Sequence, residues 1–189
     1  MAKVKGTNLI AAVKLLRRNR AAALASLPAA LHPYLEQRVL PTSWYPEEDL
    51  VALLRAMAPL LRDATADPFE LMGRAAVRDH MEGVYEHLLK GDRGSLGRRV
   101  AALWQTQHDT GRLTMIEQGP GRARWELEGY GHPSREMCGT LRGYVLEALT
   151  AMGFAGVRVA KAACVLDGAD RCAWDCAWRE LPAAPPAKG

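Results

Sequence analysis

Three cysteines in the last third of the sequence have the residue type of a metal-binding group. Cys138, Cys164 and Cys172 follow one another in the pattern C-x25-C-x7-C. Cysteine thiolates bind soft metal ions and react with oxidants, so a cluster of them is a candidate for chemistry. Three thiolates could hold a structural zinc if a fourth ligand joined them. The alternative is that all three are small buried core residues, because free cysteine is among the most buried residue types.

The elements that carry these cysteines predict that the three sulfur atoms can meet. Cys164 and Cys172 lie at the ends of two predicted strands that are joined by a short turn. Cys138 lies in the first turns of a helix that Ser134 is expected to cap. Cys176 lies four residues beyond Cys172 on the same strand, roughly 13 Å away by strand rise, and is a poor candidate for the fourth ligand.

The hydrophobic pattern changes at Gly111 and divides the chain into two parts. Before Gly111, apolar residues recur at helical spacing; after it, strand-like segments surround one amphipathic helix in the order β-β-α-β-β. We therefore predict an α+β fold in which an N-terminal helical layer packs on a four-stranded antiparallel sheet. The predicted helices cover about 7–27, 46–59, 68–89, 95–108 and 134–152, and the predicted strands cover about 113–117, 122–130, 157–165 and 171–179.

Length and composition limit the domain organisation. The chain has 189 residues, 49% of them hydrophobic, which is enough for one real core. We predict a single domain over 1–180, with a helical part (1–110) and a β-β-α-β-β part (111–180), and a disordered Pro- and Ala-rich tail over 181–189.

Charge and hydropathy exclude several classes of partner. The net charge is +4, and the basic residues are scattered among 21 acids without a patch of interleaved aromatics, so no nucleic-acid partner is predicted. No stretch approaches 18 consecutive apolar residues, so no membrane span is predicted. The N-terminus has no apolar signal core before Thr7, and we therefore expect a cytoplasmic protein with reduced cysteines.

Three aromatic side chains are candidates for a ligand pocket. Tyr85, Trp104 and Trp125 each lie on a predicted inner face of a helix or strand. Large rings with polar tips line pockets for apolar or aromatic ligands, although they also fill cores. We predict that these three residues line a pocket for a small hydrophobic molecule.

The histidines do not form a recognisable catalytic group. His80 and His87 share a predicted helix face and could bind a metal or haem, or could simply be partly exposed helix residues. The sequence contains no H-E-x-x-H, G-x-S-x-G or P-loop motif. No nucleophile, base and orienting group come together, so the sequence favours a non-enzymatic role.

Five short segments carry a resemblance to known proteins. They are Val4-Lys-Gly6, Ser43-Trp-Tyr-Pro46, Gly83-Val-Tyr85, Gly119-Pro-Gly121 and Cys164-x7-Cys172-Ala-Trp-x3-Trp178. On these segments the chain resembles a family of paralogous proteins of unknown function that is abundant in myxobacteria. Its C-terminal half is similar to the 4-vinyl reductase domain. The relatives of that domain include the sensory domains of phenol-responsive activators, the haem–nitric-oxide-binding domains and the transport-protein-particle subunits.

The resemblance implies a fold, a ligand class and a metal. Such domains pack helices on one face of a small antiparallel sheet, bind hydrophobic molecules or acyl chains in the cleft between, and dimerise. In the phenol-sensor branch, three cysteines and a glutamate hold a structural zinc. The cysteine positions match Cys138, Cys164 and Cys172, but the glutamate position is Lys161, whose ammonium cannot bind zinc. The Tyr-x-Ser-x-Arg haem-propionate motif of the haem-binding branch is absent from the sequence, so haem is not expected.

Together these observations predict a non-catalytic, sensor-type module that binds a small hydrophobic ligand. It would act through homodimerisation or through a protein partner. One alternative is a ligand-free scaffold that docks a protein such as a small GTPase. Another is an enzyme that acts on a tetrapyrrole or an aromatic substrate.

Overall fold

The computed structural model describes residues 1–61, 66–82 and 93–179. The first part of the described chain is mainly helical and includes a small two-stranded antiparallel sheet. Its elements are β1 (Lys3–Lys5), α1 (Thr7–Arg18), α2 (Arg20–Ser26), a 3-10 helix (Ala29–Leu35), β2 (Trp44–Pro46), α3 (Glu47–Met57), a 3-10 helix (Ala58–Leu61), α4 (Pro68–Glu82), a 3-10 turn (Arg93–Ser95) and α5 (Leu96–Gln107).

The second part contains the main sheet. Its elements are β3 (Arg112–Gly119), β4 (Arg122–Glu128), α6 (Arg135–Ala151), β5 (Ala155–Ala163), a 3-10 turn (Val165–Asp167) and β6 (Cys172–Arg179). The four strands pair antiparallel in the order β3-β4-β6-β5. The predicted α+β fold with β-β-α-β-β order is confirmed.

One face of this sheet is buried and the other is polar. In β4, Ala123, Trp125 and Leu127 are buried, because alternate residues of a strand point to the same face. Between them, Arg124 points to the opposite face and pairs with Asp175 of β6 at 2.7 Å. Helices α5 and α6 contact the sheet and supply the other side of its core.

Helices α4 and α6 approach each other until their backbones touch. A Cβ atom at Gly73 would lie 1.9 Å from the carbonyl oxygen of Thr140, and one at Gly143 would lie 2.0 Å from that of Glu70. Only glycine permits this approach, because any side chain would overlap a backbone atom. The contact fixes α6 against α4 and so fixes the position of Thr140, which borders the cavities described below.

The structure departs from the sequence prediction in the N-terminal part. The single helix predicted for 7–27 is divided at Asn19, whose side-chain amide donates to the carbonyl oxygen of Leu15 at 3.0 Å. Asparagine competes with the helix in this way because its side chain bonds to nearby backbone. The pairing of β1 with β2 was not predicted, since each strand has only three residues.

Two sequence predictions extend past the described residues. The helix predicted for 68–89 is described as far as Glu82, and the tail predicted for 181–189 lies outside the described residues. Within the described part of the chain, no helix combines the length and the apolar character that crossing a membrane requires.

Candidate functional site

The three predicted cysteines meet where the start of α6 faces the turn between β5 and β6. The Sγ atom of Cys138 lies 3.9 Å from that of Cys164 and 4.0 Å from that of Cys172. The Sγ atoms of Cys164 and Cys172 are 3.9 Å apart. The three sulfurs therefore form a nearly equilateral triangle, which we call the thiol cluster.

Local interactions hold the thiol cluster in place. The Ser134 hydroxyl caps α6 by accepting from the Met137 N–H at 3.2 Å, as the sequence predicts. Arg135, in the first turn of α6, donates to Asp167 of the β5–β6 turn at 3.0 Å. Gly168 has a φ of 87°, which allows that turn to close. The helix start and the turn are thus fixed against each other, with Cys138 between them.

Cationic side chains surround the thiol cluster. The Lys161 ammonium donates to Cys138 Sγ at 3.2 Å and lies 3.5 Å from the centre of the Trp174 ring. The Arg135 guanidinium lies 3.6 Å from Cys164 Sγ. Within the described part of the chain, no histidine, aspartate or glutamate joins the three sulfurs as a fourth ligand. Whether the cluster holds zinc stays a prediction.

The thiols of the cluster differ in acidity. Burial raises the pKa of the Cys138 thiol to about 12, although the Lys161 ammonium opposes the shift. Burial also raises the pKa of Cys164, but the Leu166 N–H and the two neighbouring thiols lower it by more, so its pKa lies below the ordinary value. Hydrogen bonds to Cys164 thus favour its thiolate, whereas burial disfavours the thiolate of Cys138.

Two adjoining cavities lie between the N-terminal helices and the layer formed by α5 and α6. The larger has a volume of about 320 Å³ and is lined by α1, α3, α4 and α6. The smaller has a volume of about 70 Å³ and reaches toward α5. Five residues line both cavities, namely Asn8, Ala76, His80, Met137 and Thr140. We call the two cavities together the cleft.

The described lining of the cleft is apolar and has no basic side chain other than histidine. Aliphatic residues of α1, α3 and α4 form most of the larger wall, and neither described lining includes an arginine or a lysine. Asp79 is the one carboxylate among the described residues of the larger lining. The hydroxyl of Thr140 is buried and has no hydrogen-bond partner among the described residues. The cleft therefore offers apolar contacts with a few uncharged polar groups.

A buried polar network borders the smaller cavity. Glu47, the first residue of α3, is fully buried and lies 3.1 Å from Nδ1 of His108. The Tyr130 hydroxyl donates to the same carboxylate. The His108 ring stacks on the indole of Trp104, with 3.8 Å between ring centres. Burial, and then the negative charge of Glu47, raise the pKa of Tyr130 far above its usual range, so its hydroxyl remains protonated.

His80 lines both cavities from α4. Its Nδ1 lies 3.1 Å from the Tyr144 hydroxyl of α6. Burial lowers the pKa of His80, the nearby Asp79 carboxylate opposes this, and His108 adds to it. The neutral imidazole is therefore favoured at this position.

Of the three residues predicted to line a pocket, one lines a cavity, one is buried in the core and one lies outside the described residues. Trp104 lines the smaller cavity, and its Nε1 donates to the carbonyl oxygens of Thr110 and Gly111, both at 3.1 Å. Trp125 lies in the core below the sheet, 1% exposed, and lines neither cavity. Tyr85 lies outside the described residues, so its predicted role stays a prediction.

Sequence reasoning missed Glu47, His108 and Tyr130 as a group. In the sequence, Glu47 has only the character of an acidic residue in the first turn of a helix, and His108 belongs to no recognisable motif. The contacts join positions 61 and 83 residues apart. No spacing within a short stretch of the sequence indicates such long-range contacts. The network supplies an imidazole oriented by a carboxylate, but neither cavity lining, as far as the structure describes it, includes a serine or cysteine nucleophile.

Comparison with known proteins identifies the fold. No family model matches the chain, and no curated protein matches it. An H-NOX protein from S. oneidensis in the Fe(II)NO ligation state has a TM-score of 0.64 and 12% identity, over 93% of this chain and 99% of that one. A point mutant of T. tengcongensis H-NOX has a TM-score of 0.62 and 12% identity, over 94% and 99%.

A Cs H-NOX variant that carries 4-cyano-L-phenylalanine gives a TM-score of 0.65 and 14% identity, over 94% of this chain and 98% of that one. The chain therefore has the α+β fold of H-NOX proteins over nearly its full described length. The fold expectation drawn from the resemblance is confirmed. The resemblance to a myxobacterial family and to the 4-vinyl reductase domain stays a prediction, because no family model matches.

Proposed function

We propose that this protein is a non-catalytic, sensor-type module that binds a small, neutral hydrophobic ligand in the cleft. The observation that carries the proposal is the apolar cavity of about 320 Å³ between α1, α3, α4 and α6. Ligand pockets range from about 300 to 1,000 Å³ and are mostly apolar with a few placed polar groups. The cleft has this character at the lower end of the size range, which favours a compact ligand.

Haem, the group named for two of the structural neighbours, does not fit these residues. Haem carries two propionate carboxylates, and neither described cavity lining includes an arginine or lysine to pair with them. An arginine and a tyrosine near the start of α6 do not serve a propionate either. Arg135 donates to Asp167 in the thiol-cluster region, and the Tyr130 hydroxyl donates to Glu47. The two cavities of the cleft have volumes of about 70 and 320 Å³, at the lower end of the range for ligand pockets. We therefore do not propose haem as the ligand of the cleft, on the described lining residues.

The charges around the cleft favour a neutral ligand over an acid. A carboxylate in an apolar cavity needs a cationic partner, because an unpaired buried charge is very costly. Among the described residues, the larger lining supplies the Asp79 carboxylate and no ammonium or guanidinium. The hydroxyl of Thr140 and the side chain of Asn8 can instead bond to an alcohol, phenol or amide group. A fatty acid is disfavoured on the same ground.

The ligand would be reported by a change in association. The proposal includes a homodimer or a protein partner as the receiver of the signal, in a cytoplasmic setting where the cysteines stay reduced. Hydrogen bonds join α1 to α5 next to the cleft. Gln107 Oε1 accepts from the Thr7 hydroxyl at 2.6 Å and from the Asn8 amide at 2.8 Å. Ligand binding at Asn8 would therefore act directly on the contact between α1 and α5.

Thermal unfolding with matched ligand pairs tests the proposal. Each pair has the same hydrocarbon and differs only in the polar group, for example 1-decanol with decanoate and 2-naphthol with 2-naphthoate. At 100 times its dissociation constant a ligand adds about 2.7 kcal/mol of stability, so the neutral member should raise Tm by about 5 °C or more. The carboxylate should raise it by much less.

Two leucine variants control for non-specific binding. Ala76→Leu adds a side chain to both cavities and should abolish the shift in Tm. Ala21→Leu makes the same change on the exposed face of α2 and should leave the shift intact. Equal stabilisation by the carboxylates, stoichiometric haem binding, or an unchanged response of Ala76→Leu would contradict the proposal. Absence of any ligand response would favour the scaffold alternative.

A further inference from the structure

We propose that the thiol cluster is a three-coordinate site for a soft monovalent metal ion, Cu(I), and not a four-ligand zinc site. The ligands would be the thiolates of Cys138, Cys164 and Cys172. The inference is independent of the ligand proposed for the cleft, because the described lining of the cleft contains none of these cysteines.

The sulfur triangle has the size that a bound metal ion requires. Its sides are 3.9, 3.9 and 4.0 Å. The centre of an equilateral triangle with a side of 3.9 Å lies 3.9/√3, or about 2.3 Å, from each corner. Metal–thiolate bonds have this length. An ion could therefore bind in the plane of the three sulfurs without any movement of the side chains.

Lys161, the residue beside the triangle, disfavours zinc. Structural zinc is almost always tetrahedral and needs a fourth ligand. Lys161 Nζ lies 3.2 Å from Cys138 Sγ, and an ammonium has no lone pair to donate to a metal. Within the described part of the chain no other candidate side chain joins the cluster. Thiolate ligands select Cu(I) as well as zinc, and Cu(I) is the ion that does not require a fourth donor here.

The positive charges beside the triangle favour a monovalent ion over a divalent one. The repulsion between Lys161 and a bound ion is proportional to the charge on the ion, so a divalent ion is repelled twice as strongly as a monovalent ion at the same distance. Three thiolates around a monovalent ion keep a net negative charge. The ammonium of Lys161 and the guanidinium of Arg135, 3.6 Å from Cys164 Sγ, both lie where they can balance that charge.

Exposure indicates how an ion would enter. Cys164 and Cys172 are buried, while Cys138 is partly exposed. Lys161 is also exposed and lies on β5, an edge strand of the sheet. The side of the triangle at Cys138 is therefore the route to the site. Each thiol releases its proton as it binds the metal.

The experiment uses the full chain, reduced and stripped of metal under anaerobic conditions. Cu(I) is titrated in competition with the chromophoric chelator bicinchoninate, and Zn(II) is titrated against a zinc chelator in parallel. We expect one Cu(I) per chain, with three sulfur neighbours at about 2.3 Å by X-ray absorption. Ser substitutions at Cys138, Cys164 and Cys172 should each weaken Cu(I) binding at least about tenfold. Cys176→Ser should leave it unchanged, since Cys176 lies outside the cluster.

Substitution of Lys161 keeps the proposal testable if a cysteine variant fails to fold. Lys161→Glu places a carboxylate beside Cys138 and should raise the affinity for Zn(II) at least about tenfold. Arg158→Glu makes the same charge change at an exposed position of β5 and should not. Tight four-coordinate Zn(II) binding by the unchanged protein, or Cu(I) binding that survives loss of any one of the three cysteines, would overturn the proposal.

Discussion

The Glu47 network and the thiol cluster each gather polar atoms from three separate places in the chain, yet they are completed differently. In the network, the Glu47 carboxylate receives hydrogen bonds from Tyr130 and from His108, and these partners belong to the protein. In the thiol cluster, the sulfurs contact one another only at 3.9–4.0 Å, where thiol hydrogen bonds are weak. The polar groups of the first region are paired within the protein, and the second region is the one for which we propose a bound metal ion.

The largest effect that distinguishes these regions should come from the network. Replacement of Glu47 by Ala leaves the His108 Nδ1 and the Tyr130 hydroxyl buried without their acceptor. Loss of one partner of a buried pair costs about 3–5 kcal/mol. We expect that loss in the free energy of unfolding, measured by urea denaturation. Glu48→Ala, in the same helical turn but exposed, is the control and should cost far less. A small loss of unfolding free energy in Glu47→Ala would contradict the view that this network stabilises the fold.

A second change tests whether the thiol cluster and the cleft are linked through α6. Gly143→Ala places a methyl group 2.0 Å from the Glu70 carbonyl oxygen, so α6 must shift away from α4. Overpacking of this kind costs about 1–3 kcal/mol. Because α6 carries both Cys138 and Thr140, we expect this variant to weaken Cu(I) binding and ligand binding together. If only one of the two affinities falls, the regions are independent.

The smallest expected effect is a pH dependence of stability that comes from His80 in the cleft. The pKa of His80 is lowered by burial, so the unfolded chain takes up this proton more readily than the folded chain. The stability that this supplies is fully present above about pH 6.5 and is lost as the pH falls toward the lowered value. The slope should be at most about 1.4 kcal/mol per pH unit.

Urea unfolding between pH 8 and pH 5 measures this slope. His80→Gln should flatten it, whereas His132→Gln, which removes a histidine that lines neither cavity, should leave it in place. An equal slope in all three proteins would show that His80 is not its source. Asp79 and His108 act on His80 in opposite directions, so the Asp79→Asn variant should make the slope steeper.

The sequence predicts the β-β-α-β-β part well because its signals are local. Alternation around Trp125 marks the buried face of β4, and Ser134 marks the start of α6, both as observed. The meeting of the cysteines follows from the same signals, since a helix start and a hairpin end bring Cys138 to Cys164 and Cys172.

The Glu47 network and the pairing of β1 with β2 could not be predicted in this way. Both depend on contacts across about 40 residues or more, and neither has a periodic pattern. The prediction for Trp104 and Trp125 treated both as pocket residues because each lies on an inner face. An inner face borders either a core or a cavity, and only the packing of the neighbouring helices separates the two cases.

The backbone contact between α4 and α6 also determines which wall of the cleft can yield. Gly73 and Gly143 leave no space between these helices, so this pair forms a rigid wall. The opposite wall includes α1, and Thr7 and Asn8 join it to α5 through side-chain hydrogen bonds to Gln107. A ligand larger than the cavity would therefore displace α1 and break those bonds before it moved α6. In our proposal, the response of the cleft to a larger ligand thus depends on the two hydrogen bonds that the Gln107 amide accepts.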